Sequence, residues 1–171
     1  MQKTSLHPKL RKYHSAGFKY FFPRLSLSAR IFLLFSRILH RVLFFICFQL
    51  KNKPHLLFLL QPIIFIFATY LVFLLNGKPS KNPQKIAAEW LKIQKLLGYS
   101  PKFNDIDDHF VYVSFCEPCP GGLKIGDMKG ACHGMKSLNR KIIQILGGQF
   151  HAPISQIHTR AVKCLFLIEA S

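Results

Sequence analysis

LLFLLQPIIFIFATYLVFLL, Leu56 to Leu75, runs for twenty residues without a charged side chain. That matches the roughly 20 residues an α-helix needs to cross the hydrocarbon core of a bilayer. Lys51, Lys53 and His55 precede it, and Lys78, Lys81 and Lys85 come after it, as basic anchors at both ends. The stretch therefore reads as a transmembrane helix. Gln61-Pro62 near its start predicts a kink, which membrane helices tolerate where neighbours satisfy the freed backbone groups.

Upstream, Ile31 to Leu50, IFLLFSRILHRVLFFICFQL, predicts a second helix. Arg30, Arg37 and Arg41 succeed one another at spacings of seven and four, one line along a helix, and Ser36 and His40 widen that polar face. A central arginine opposes insertion by roughly 2.5–3.5 kcal/mol, while each Leu, Ile, Phe or Val favours it by only roughly 0.3–0.6. This helix is thus expected either at the interface, its arginines reaching the headgroups, or as one arm of a hairpin turning at Lys51-Asn52-Lys53-Pro54. Residues 1–30 form a basic, aromatic leader. It is expected to meet anionic lipid headgroups in preference to nucleic acid, with an organellar targeting peptide as a third reading.

Charge supports the division. The chain carries 24 Lys and Arg against 7 Asp and Glu, a net charge of +17. Its first carboxylate is Glu89, and 14 of the basic residues come before it. The expected organisation is a leader (1–30), a membrane region (31–76), a linker (77–82) and a cysteine-bearing domain (83–171). The expected location is the membrane. A two-span hairpin would keep the last domain cytoplasmic, and a single span would place it outside.

The C-terminal part reads as a small α/β (α+β) domain preceded by those one or two membrane helices. Asn82-Pro83 opens a helix, cap then proline, and Gly98 closes it; Ile86, Trp90, Ile93 and Leu97 recur on its apolar face. Asn104 to Asp108, NDIDD, is expected as a solvated turn, and His109 to Phe115 alternates as a strand. Ala131 to Leu146 predicts a second helix stopped by Gly147-Gly148, and Ile154 to Ile168 a strand or hairpin.

Between strand and helix lies FCEPCPGGLKIGDMKGACHGM, Phe115 to Met135. Cys116-x2-Cys119 has the spacing of a zinc knuckle, and Cys132 comes after twelve intervening residues, with Cys164 or His133 to complete four ligands. A helix N-terminus would favour thiolate there. Zinc fits this set ahead of an iron–sulfur cluster. Redox chemistry is weaker, because Pro120-Gly121-Gly122 breaks the helix that such a motif normally opens. A Cys132 nucleophile activated by His133 is weaker too, since helix neighbours point about 100° apart. Purely structural cysteines remain open, and Cys47 reads as a packed apolar residue.

The layout of residues 83–169, with ACHGM at Ala131, ILGG at Ile145 and CLFLI at Cys164, resembles 4-vinyl-reductase-like small-molecule-binding domains. It is similar as well to the aminothiazoline-carboxylate hydrolase-like family. The resemblance implies an α/β ligand pocket, with zinc held by cysteines in some of the former and Cys-based hydrolysis as the enzymatic alternative. Where such domains carry an acidic-x-x-Cys and a glycine before the last cysteine, this chain has Gln156 to Lys163, QIHTRAVK. The expected function is binding of zinc or a small-molecule ligand through the cysteine face, at a membrane. The rivals are a Cys-nucleophile hydrolase and a structural membrane protein without a site.

Overall fold

The computed structural model describes residues 27–50, 52–99, 101–106, 109–115, 133–151, 156–158 and 161–170. Five helices and five strands succeed one another in this order: α1 (Leu27–Gln49), α2 (Pro54–Leu59), α3 (Gln61–Leu74), α4 (Pro83–Leu97), β1 (Lys102–Ile106), β2 (Phe110–Phe115), α5 (His133–Ile145), β3 (Gly148–His151), β4 (Gln156–His158) and β5 (Ala161–Ala170). The fold is mostly helical, beside one small antiparallel sheet.

The apolar stretch is not one helix. Leu60 is at once the C-cap of α2 and the N-cap of α3, with Pro62 in the first turn of α3. Proline lacks an N–H and collides with the carbonyl four residues back, so the helix through Phe58 cannot run on. Helix α3, beyond the break, has 14 residues and is about 21 Å long against a hydrocarbon core of roughly 30 Å. Among the described residues, no helix is long and apolar enough to cross a membrane. The expected transmembrane helix over 56–75, the fold class built on it and the membrane location are corrected accordingly. α3 instead buries Ile64, Phe67, Ala68, Leu71 and Val72 against protein.

The helix expected at 31–50 is longer than foreseen and turned about. Ser36, His40, Leu43 and Cys47 form its buried stripe, while Ile31, Leu34, Ile38 and Phe45 are exposed. Of the residues read as its polar face, Ser36 and His40 therefore look inward, while Arg30 and Arg41 stay exposed. Arg37 does not reach outward for headgroups: its Nε donates to the Leu96 carbonyl at 2.7 Å. That carbonyl lies in the last turn of α4, where helical acceptors are unpaired and the dipole favours a cation. One core cluster runs from Leu43 through Phe67 and Leu71 to Trp90, Ile142 and Ile168. The helices upstream of residue 77 thus share a core with the C-terminal elements.

α4 forms as its sequence predicts. Asn82 Oδ1 accepts from the N–H groups of Gln84 and Lys85 at 2.9 and 3.1 Å, and Gly98 closes the helix at φ +94°. Such a cap contributes about 1 kcal/mol. The sheet order is β1-β2-β5-β3, with β4 pairing to the start of β5. β2 buries Val111 and Val113 as its alternation predicts. NDIDD is corrected in part: Asn104, Asp105 and Ile106 belong to β1, which pairs with β2 across a register shift between Phe103 and Asp105. Its backbone bonds to β2 outweigh the turn propensity of Asn104 and Asp105.

Gly147 joins α5 to β3 at φ +87°, and a Cβ there would stand 2.9 Å from the Ser80 carbonyl oxygen. Ser80 is held in place by its own N–H, which donates to Leu146 O at 2.9 Å. Gly147→Ala is therefore expected to lower stability by about 2 kcal/mol, from the left-handed backbone and the backbone contact together. Urea unfolding with an unchanged m-value checks this; an unshifted midpoint would show that the linker yields.

Candidate functional site

The break at Leu60 and Pro62 opens a corner between α2 and α3, and α5 lies across it. Phe58, Leu59, Pro62 and Phe65 form one wall of a groove of about 740 Å³; Ser137, Arg140 and Lys141 form the other, and Gln61 lies between them. On α5, spacings of three and four place Ser137, Arg140 and Lys141 on one side, while Leu138 and Ile142 turn to the core. Gln61 Nε2 donates to Ser137 Oγ at 3.3 Å and ties the two walls together.

The apolar wall is unusually open: Phe58 is 73% and Phe65 50% exposed. Lys141 Nζ stands 5.9 Å from the centre of the Phe65 ring, within reach of a cation–π attraction. Among the described residues, neither Arg140 nor Lys141 pairs with a carboxylate; the ion pairs there are Lys92–Glu89 and His151–Glu169. An apolar wall facing two cations that no described carboxylate compensates, in a volume typical of ligand pockets, is suited to an anionic ligand with an apolar body.

Two buried polar clusters lie elsewhere. At the α1–α4 contact, His40 is 2% exposed and its Nδ1 is 3.2 Å from Tyr99 Oη, the two rings edge to face at 5.3 Å. Burial first, then the charge of neighbouring Arg41, lowers the His40 pKa from 6.5 to about 4. Between α4 and α5, Asn139 Oδ1 accepts from Trp90 Nε1 at 2.9 Å and from Gln94 Nε2 at 2.8 Å. Both clusters latch helices together.

Of the expected metal ligands, Cys116, Cys119 and Cys132 lie outside the described residues. The described backbone puts Cys164 opposite Phe115 in the β2–β5 pairing and His133 at the start of α5. Among the described residues, no group of three or more His, Cys, Asp or Glu could hold a metal ion, so the expectation of a zinc site has no support in the described structure. Cys47 is buried and free, as expected, and burial pushes its thiol pKa up.

The groove residues escaped the sequence reading because it assigned Phe58, Phe65 and Gln61 to a membrane span. The usable signal was Gln61-Pro62, read as a kink within a span and not as an end between two helices. No family model, curated protein or solved structure matches the chain. Nothing in those comparisons bears on the resemblance to vinyl-reductase-like or hydrolase-like domains.

Proposed function

We propose that the protein is a binding module for a small anionic amphiphile, taken up in the groove between α2–α3 and α5. The apolar body lies along Phe58, Pro62 and Phe65, and the acidic head meets Arg140 and Lys141. The observation that carries this reading is the facing of an exposed aromatic wall by two cations that no described carboxylate compensates. Gln61 and Ser137, already bonded to each other, offer the head group a polar floor. Among the described groove residues no nucleophile is paired with a base, so the reading is one of binding.

Calorimetric titration of the full chain with dodecanoate, and with dodecanol as its neutral counterpart, tests this below the micellar range. Dodecanoate is expected to bind about tenfold more tightly, equivalent to about 1.4 kcal/mol. A double variant Arg140→Gln/Lys141→Gln should erase that preference while leaving dodecanol unchanged; Phe65→Ala should weaken both. Equal affinity for the two probes, or a double variant that keeps the preference, would overturn the proposal.

A further inference from the structure

The outer face of α1 carries an exposed apolar stripe, apart from the groove. Ile31, Leu34, Ile38, Val42 and Phe45 are each 48–60% exposed, whereas Ser36 and His40 on the opposite side are buried. Their spacings of three, four, four and three residues draw one apolar stripe along the helix, the form of seam that one α-helix offers another.

The flanks decide which helix fits. Arg30, Arg37 and Arg41 line one side of the stripe, and Phe35 with its neighbours lines the other. Arg37 is already bonded to Leu96 O, while Arg30 and Arg41 are exposed and meet no carboxylate among the described residues. In helix pairs, charges flanking the seam set partner and orientation. A second copy is a poor match: antiparallel pairing would oppose two arginine rows, and parallel pairing would set each row against apolar side chains. A net charge of +17 adds repulsion.

We infer that the outer face of α1 docks an acidic amphipathic helix of a partner protein, its Glu or Asp side chains lying along the Arg30–Arg41 row. The probe is a labelled peptide of about 21 residues, six helical turns, with leucines on the seam and glutamates on the flank. Its control carries lysines in place of the glutamates. The full chain is expected to bind the acidic peptide at least tenfold more tightly, with the difference shrinking as salt rises. Arg30→Gln/Arg41→Gln should remove most of that preference, and Ile38→Gln should weaken both peptides, with helix content unchanged by circular dichroism. The inference is overturned by equal affinity for the two peptides, or by no binding of the acidic one. It is equally overturned by sedimentation showing that copies of the chain cover this face, or by uptake onto phosphatidylserine vesicles that the acidic peptide does not compete away.

Discussion

Asn139→Leu is expected to lower the free energy of unfolding by about 3 kcal/mol, a large share of the roughly 5–15 kcal/mol of a typical domain. The Asn139 side-chain oxygen accepts two hydrogen bonds inside the core, from Trp90 and from Gln94, and all three residues are fully buried. A leucine of similar size fills the space but leaves two buried donors without an acceptor, at about 1–3 kcal/mol each. The orientation of the amide is set by this arrangement. Turned over, it would direct an NH2 group at the indole N–H. The present orientation leaves Asn139 Nδ2 and Gln94 Oε1 without hydrogen-bond partners, so the cluster is already short of partners before the substitution. Trp90 is the chain's single tryptophan, and its fluorescence tracks unfolding in urea directly. The triple variant Trp90→Phe/Gln94→Leu/Asn139→Leu, in which donors and acceptor go together, should recover much of the stability. If Asn139→Leu shifts the unfolding free energy by less than about 1 kcal/mol, relaxation or solvent must supply the missing acceptor.

Acid should destabilise the fold through His40. Its pKa in the folded chain is lowered from 6.5 to about 4, chiefly by burial and then by Arg41. The unfolded chain therefore binds the extra proton more readily than the folded one between those values. Stability from this group is complete above pH 6.5, falls as the pH drops through the interval, and is lost below about pH 4. The interval corresponds to about 3 kcal/mol. Arg37 lies one turn before His40 and Arg41 directly after it in the chain, so a proton added to the buried ring meets like charge on its own helix. Comparison with His40→Gln isolates the effect from that of the carboxylates. The variant's unfolding free energy should stay flat between about pH 6.5 and 5, where the parent's declines. Parallel pH profiles would exclude His40 as the source.

Much of the C-terminal part was legible because its signals are local. Asn82, Pro83 and Gly98 bound α4 by capping chemistry that acts within a turn, and the helical recurrence of Ile86, Trp90 and Ile93 names its buried face. The alternation of Val111 and Val113 did the same for β2. The candidate groove was not legible, since it exists only where α5 crosses the corner at Pro62. The cysteine cluster was legible as spacing alone, and spacing cannot say where sulfurs converge.

By itself, the sequence determined how apolar the stretch from Leu56 to Leu75 is and that Gln61-Pro62 disturbs its helix, because both are properties of neighbouring residues; that the disturbance is an end between two helices was seen only in the structure. Only the tertiary structure decided what that apolarity is for. Hydropathy measures transfer out of water and does not distinguish lipid from a protein core as the destination. Ile64, Phe67 and Leu71 found Trp90, Ile142 and the sheet through partners far along the chain. The same distance explains α1. Ser36 and His40 are buried, and Arg37 is inward-bonded, because the partner surfaces on α4 and at Tyr99 stand some 59 residues away. No window along the chain contains both sides of those contacts.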